Sequence, residues 1–323
     1  MVKKLFKNIS SLLVMSAVIS GCAIKGKKTQ TTTTPTPGGP KTTTVIFPPA
    51  DQKNETVESS PSVEASPQDA IDAEKNKQPE TSNSQAKVLP KFGVIFSGGG
   101  AKAWAHIGVL KELQKLKWPV SSVAGFEWGS AVAALYAQNL SANEVEWEMS
   151  KLKEFDKWDL FIKAAFAKKS TSDLKVPFVC PSLNIGKQSV FLLNRGQLSQ
   201  LVPFCIGSTV LTKPINQSIA VMTDVPSLAQ HLRATGANRI ILVNVLAQST
   251  KRSFVKDYES ADNIWWVESA ALMAKKPLGV DEVIDINLDD YNIKDLDKRR
   301  DIVNKGAELS APVLRKLAEK YGL

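Results

Sequence analysis

The stretch VSSVAGFEWGSAVAALYA, residues 120–137, decides the fold. Its first part, Val120–Gly125, is a short run of apolar and small residues that favours a buried strand. From Gly129 onward the run is rich in alanine, which favours a helix. Because glycines stand on both sides of the change, at Gly125 and Gly129, the sequence predicts a sharp connection from strand to helix.

The spacing of the two glycines matches the G-x-S-x-G nucleophile elbow. In that motif a serine lies on a strained turn between a strand and a helix, where its hydroxyl is exposed to substrate. In this chain the middle residue is Glu127. The pattern therefore predicts the frame of a hydrolase site with a carboxylate at the position of the nucleophile.

The surrounding sequence predicts one folded domain over residues 91–323. Short apolar runs at 92–96, 120–125 and 239–245 read as strands, and helical patterns separate them. The run RIILVNV has almost no polar residue, as expected for a parallel strand that is buried on both faces. Strands that alternate with helices predict an α/β fold with a mostly parallel central sheet.

Four segments together resemble the patatin-like phospholipases, in their bacterial form, over roughly residues 92–320. They are SGGGAKAWAHIGVLKEL (97–113), the elbow, VPFVCPSLNIGKQSVFLLNRGQL (176–198) and VPSLAQHLRATGANRIILVNV (225–245). The resemblance implies a patatin-like three-layer sandwich. It also implies a lipid acyl hydrolase site built from a serine, an aspartate and a glycine-rich oxyanion loop, without cofactor or metal.

The oxyanion loop of that site is largely present. By the resemblance its backbone N–H groups would stabilise the negative oxygen of a tetrahedral intermediate. The family's final loop glycine is Ala103 here. The matching loop residues are Gly98, Gly99, Gly100, Ala101 and Lys102.

Both chemical positions of the dyad differ from the family pattern. Glu127 stands where the serine is expected. The aspartate is expected eight residues before Pro226, and Ser218 occupies that position. Because both groups are lost, we expect a pseudoenzyme on a patatin-like fold that binds a lipid or a protein partner.

Glu127 is expected to fold into the vacant oxyanion loop, because a helix N-terminus and free N–H groups favour a carboxylate. Three other interpretations stay open: a solvent-facing Glu127, a residual or altered lipid acyl hydrolase, and a structural envelope protein. Ser130 and Asp224 are the nearest candidates for a displaced nucleophile or base. The aromatic residues Trp104, Phe126 and Trp128 either fill the former acyl cleft or line a lipid groove.

The N-terminus predicts a membrane anchor. Residues 1–21 read as a signal peptide with a basic start, an apolar core and the tetrad Ile-Ser-Gly-Cys that resembles a bacterial lipobox. Cys22 is then the lipidation site, and the Thr, Ser and Pro-rich residues 22–90 form a disordered tether. The expected location is the cell envelope, with Ala23 favouring the outer over the inner membrane.

Composition bears on three further questions: a nucleic-acid partner, a metal site and the state of the cysteines. The net charge of +9 includes signal-peptide lysines, and no arginine-rich stripe predicts a nucleic-acid partner. The sequence holds two histidines, His106 and His231, and no cluster has metal-ligand spacing. If Cys22 carries lipid, Cys180 and Cys205 are left either as a disulfide or as two buried thiols.

Overall fold

The structure is a computed structural model that describes residues 89–208, 211–247 and 261–323. The predicted signal peptide, Cys22 and the tether up to residue 88 lie outside the described residues. The strands are β1 Phe92–Phe96, β2 Val120–Gly125, β3 Phe178–Asn184, β4 Ser189–Leu193, β5 Ser218–Ala220, β6 Arg239–Asn244 and β7 Glu282–Asp285. The α-helices are α1 Ala105–Lys115, α2 Trp128–Asn139, α3 Ala142–Met149, α4 Trp158–Ala165, α5 Leu198–Ile206, α6 Val225–Ala234, α7 Ala261–Met273 and α8 Arg299–Tyr321.

The described strands form one mixed sheet in the order β4-β3-β2-β1-β6-β7, with β5 paired to β3. The five strands β3, β2, β1, β6 and β7 run parallel, and β4 and β5 are antiparallel to β3. All five residues of β1, at the centre of the sheet, are buried. The prediction of an α/β fold with a mostly parallel central sheet is confirmed.

Helices cover the sheet on both faces. An added Cβ at Gly93 would lie 3.0 Å from Leu232 of α6. The preceding residue, Phe92, packs its ring 5.3 Å from that of Tyr321 in α8. Since successive strand residues point to opposite faces, α6 and α8 lie on opposite sides of β1. This is the three-layer arrangement that the sequence predicts.

Helices α1 and α8 approach each other through two glycines. A Cβ at Gly108 would lie 2.1 Å from the carbonyl oxygen of Val303, and one at Gly306 would lie 2.2 Å from that of Ala105. Neither helix could hold a side chain at these positions without moving apart. Although α8 contains Pro312, it runs as one helix from Arg299 to Tyr321. The contact fixes the helix that follows the glycine loop.

The strand β3 is joined covalently to α5. Cys180 and Cys205 form a disulfide, with their Cα atoms 6.0 Å apart. Of the two alternatives that the sequence leaves open, the structure has the disulfide. Ser182 adds a hydrogen bond from its hydroxyl to the carbonyl oxygen of Phe204, at 2.7 Å. The bond therefore holds α5 against the face of β3.

We predict that replacing both cysteines, as Cys180→Ala with Cys205→Ala, lowers the free energy of unfolding by about 3 kcal/mol. The reason is that the bridge closes a loop with a sequence separation of 25 residues, which removes entropy from the unfolded chain. Urea denaturation of the full-length chain measures the change. A reductant should destabilise the native chain and leave the double variant unaffected; equal unfolding curves for the native and variant chains without reductant would contradict the prediction.

Candidate functional site at the turn between β2 and α2

The turn that follows β2 has the backbone geometry of a strained elbow. Glu127 has φ 46° and ψ −126°, a conformation that a residue with a side chain rarely adopts. A Cβ at Gly129 would lie 2.4 Å from the carbonyl oxygen of Ser97, and one at Gly125 would lie 2.3 Å from that of Gly129. Both elbow glycines are therefore required for the turn to fit against the end of β1.

The carboxylate of Glu127 lies in the glycine loop. Its Oε2 accepts hydrogen bonds from the N–H groups of Gly99 at 3.2 Å, Gly100 at 3.1 Å and Trp128 at 2.7 Å. The side chain is fully buried. The structure thus confirms the expectation that Glu127 folds into the loop and excludes a solvent-facing side chain.

The second carboxylate oxygen has a different environment. Oε1 is buried and has no hydrogen-bond partner among the described residues. Burial raises the pKa of Glu127 to about 7, and the N–H donors of Trp128, Gly100 and Gly99 oppose that rise. The proton that the acid form carries can therefore reside on Oε1, while Oε2 keeps its three donors.

The remaining loop residues are bound elsewhere. Ala101 donates its N–H to the carbonyl oxygen of Ile293 at 2.7 Å, and Lys102 donates its N–H to that of Gly99. A Cβ at Gly98 would lie 2.4 Å from the sulfur of Met222. Since Ala101 is engaged with Ile293, the loop offers the N–H groups of Gly99 and Gly100 to an anion.

The side chain of Lys102 is also fully buried. Burial lowers its pKa to about 8, and the nearby carboxylates of Asp289 and Asp295 act in the opposite direction. The segment that carries Asp289, Ile293 and Asp295 thus lies against the loop from the far end of the chain. Sequence reasoning missed this segment, because no local motif connects it with the loop.

The two dyad positions do not interact through hydrogen bonds. The side chain of Glu127 accepts three hydrogen bonds, and all three donors are backbone N–H groups. Ser218 lies at the start of β5, opposite Asn184 on β3. Met222, four residues later, lies with its sulfur atom against Gly98 of the glycine loop. Ser218 therefore cannot serve Glu127 as an acid–base partner in this arrangement.

The candidate replacement nucleophiles have structural hydrogen bonds. The hydroxyl of Ser130 donates to the carbonyl oxygen of Gly125 at 2.8 Å, which closes the elbow. The hydroxyl oxygen of Ser97 accepts from the N–H of Val245 at 3.0 Å, which ties β1 to the end of β6. Among the described residues, neither hydroxyl has a histidine or carboxylate side chain as its hydrogen-bond partner. Asp224 lies before the first residue of α6 and caps no N–H with its side chain.

The histidines do not form a catalytic pair. His106 is fully buried, and its Nε2 donates to the carbonyl oxygen of Ser97 at 2.8 Å. Burial lowers its pKa to about 4. His231 has the amide of Asn194 as its partner at 3.3 Å. Over the residues that the structure describes, no group of acidic, cysteine or histidine side chains could hold a metal ion.

Aromatic side chains pack beside the elbow. The rings of Trp104 and Trp128 lie 5.7 Å apart, and Phe155 and Phe161 lie 5.4 Å and 6.2 Å from Trp128. Phe126 and Trp128 are fully buried. Of the two roles left open for these residues, the structure has them filling space next to Glu127.

Comparison with known proteins supports the fold that the strand order and the elbow indicate. The Patatin-like phospholipase family model matches residues 94–242, the region from β1 to β6. Together with the sheet order and the elbow, this match supports the patatin-like phospholipase family and defines the fold as patatin-like.

Among curated proteins, the chain is 23% identical over 224 residues to Lysophospholipase NTE1 of Cryptococcus neoformans, covering 59% of this chain and 14% of that protein. It is 40% identical over 72 residues to human Patatin-like phospholipase domain-containing protein 6, covering 20% of this chain and 5% of that protein. The chain thus spans a small part of these relatives. They are fungal and mammalian proteins, so the predicted bacterial lipoprotein form rests on the motifs alone.

Among solved structures, VipD from Legionella pneumophila is similar with a TM-score of 0.44 and 11% identity, covering 69% of this chain and 66% of that one.

We predict that Glu127 makes the chain less stable as the pH rises. Its folded pKa lies above its ordinary value of 4.5, so the folded state holds the proton between pH 4.5 and about 7 while the unfolded state has lost it. Relative to Glu127→Gln, the native chain should therefore lose up to about 3 kcal/mol of unfolding free energy across this window. Urea titrations followed by tryptophan fluorescence at pH 5, 6, 7 and 8 measure the difference.

The comparison with the glutamine variant is needed because His106 acts in the opposite direction. Its lowered pKa gives stability that is lost as the pH falls from 6.5 to about 4, in both chains alike. The exposed Glu319 of α8 offers a matched control, and Glu319→Gln should parallel the native curve. A Glu127→Gln curve that also runs parallel to the native one would show that Glu127 does not titrate in this window.

Proposed function

We propose that this protein is a membrane-anchored, catalytically inactive patatin-like protein that acts by binding rather than by hydrolysis. The observation that carries the proposal is the triple hydrogen bond from Gly99, Gly100 and Trp128 to Glu127. In the chemistry that the resemblance implies, the loop donors must face the oxygen of a substrate carbonyl as it becomes negative. Here an oxygen of the chain itself occupies those donors.

The loss of the nucleophile supports the same proposal. In a well-studied serine protease, removing the serine lowers turnover about 10⁶-fold and leaves only binding and oxyanion stabilisation. In this chain the loop donors are also occupied, so this residual contribution is reduced as well. A carboxylate attacking an ester would produce an acyl anhydride, and no basic side chain among the described residues forms a hydrogen bond with Glu127.

The membrane anchor is proposed from the N-terminal motif. A lipid on Cys22 would attach the domain to the cell envelope through residues 23–90, with the outer membrane favoured by Ala23. Among the described residues, no helix is long and apolar enough to cross a bilayer. Metabolic labelling with an alkynyl palmitate should mark the native chain and not Cys22→Ser.

We predict that the full-length native chain hydrolyses neither p-nitrophenyl butyrate nor lysophosphatidylcholine above a protein-free control. The variant Glu127→Ser, which frees the N–H groups of the loop and returns a hydroxyl to the elbow, should react slowly with a fluorophosphonate probe at residue 127. Mass spectrometry of the labelled peptide locates the reaction. Glu127→Ala, which frees the same N–H groups but has no hydroxyl, is the matched control and should not label at this position.

Turnover by the native chain that persists in Glu127→Ala would overturn the proposal. It would mean that a residual lipid acyl hydrolase uses another nucleophile, the one alternative that the lysophospholipase names of the relatives favour.

A further inference from the structure

A cleft of about 340 Å³ lies beside the disulfide, on the face of the sheet formed by β4, β3 and β5. None of the glycine-loop or elbow residues lines it. The antiparallel register sets Ser182 opposite Phe191 and Asn184 opposite Ser218. Because directly opposed residues of an antiparallel pair point to the same face, all four side chains meet on one side of the sheet. Their convergence forms the floor of the cleft.

One part of the cleft is apolar. Phe191 and Leu193 of β4 and Phe204 of α5 line it. Phe191 is 42% exposed. The hydrogen bond from Ser182 to the Phe204 carbonyl holds α5 at the edge of this apolar surface. A hydrocarbon chain or an aromatic ring could therefore contact three large side chains without any rearrangement.

The polar part carries a cation and an unused hydroxyl. The ammonium of Lys187 lies 5.4 Å from the centre of the Phe191 ring and is in no ion pair with a described carboxylate. Ser218 is 8% exposed, and its hydroxyl makes no hydrogen bond to a described residue. The hydroxyl oxygen is accessible from the cleft that Ser218 lines. The open hydroxyl and the nearby ammonium therefore point to a ligand with a negative oxygen.

We propose that this cleft binds an amphipathic monoanion, a carboxylate with a short hydrocarbon or aromatic tail. The carboxylate contacts Lys187 and Ser218, and the tail lies against Phe191, Leu193 and Phe204. The volume of the cleft is within the range of small-molecule sites, which are mostly apolar and have a few converging polar groups. A cationic ligand would be repelled by the positive charge of Lys187. A neutral ligand would leave the ammonium group without an ionic partner.

The test uses hexanoate, with hexan-1-ol and hexylammonium as neutral and cationic probes of the same chain length. The full-length chain is held in lipid nanodiscs, and empty nanodiscs serve as the blank in ligand-observed NMR titrations. Hexanoate should bind saturably, hexan-1-ol at least fivefold more weakly, and hexylammonium without saturation. Lys187→Met should weaken hexanoate about tenfold and leave hexan-1-ol unchanged, because a charge-assisted bond is lost and the apolar surface is kept.

Lys316→Met is the matched control, since Lys316 is an exposed lysine of α8 outside the cleft. A hexanoate signal that does not saturate, equal binding of hexanoate and hexylammonium, or equal weakening by Lys316→Met would each overturn the proposal. Thermal unfolding of both variants shows whether a loss of binding reflects a loss of fold. The outcome is independent of the hydrolase assays, because neither Lys187 nor Phe191 belongs to the elbow.

Discussion

The close contact between the elbow and the end of β1 is the constraint on which the site depends. Gly129 lies with its Cα against the carbonyl oxygens of Phe96 and Ser97, where even a methyl group would overlap the backbone. The contact brings residue 127 next to the N–H groups of Gly99 and Gly100. Two strands that neighbour each other in a parallel sheet thus deliver a helix N-terminus and a glycine loop to one point.

The strained backbone persists without the residue that the motif normally carries. Glu127 keeps a positive φ although glutamate gains nothing from that conformation by itself. The surrounding contacts hold it there: Ser130 bonds to Gly125, and Oε2 of Glu127 bonds to three N–H groups. The backbone conformation of the elbow is therefore fixed by packing. The side chain at residue 127 can be replaced by one of different chemistry while that conformation is kept.

Much of this arrangement can be predicted from the sequence, because its determinants are local. Glycine spacing predicts the turn, an uninterrupted apolar run predicts the central strand, and the charge of Glu127 next to free N–H groups predicts where it folds. The contacts of Met222 with Gly98 and of Ile293 with Ala101 could not be predicted. They join residues more than a hundred positions apart, and neither Met222 nor Ile293 carries a pattern that distinguishes it from other core residues. The same holds for the cleft beside β5, whose lining depends on the register of three strands.

The packing of α8 against α1 has a consequence for the way this chain is made. The backbones of the two helices are in contact at Gly108 and Gly306. The helical layer that contains α1 and α8 is therefore built from segments at both ends of the domain. While the chain is being synthesised, α1 has no partner for this face until α8 has emerged from the ribosome. Until then the domain is incomplete and the apolar surface of α1 is uncovered, so its folding depends on the synthesis of α8. Removal of α8 would leave that surface permanently open, so a truncation that reaches α8 should destabilise the whole domain.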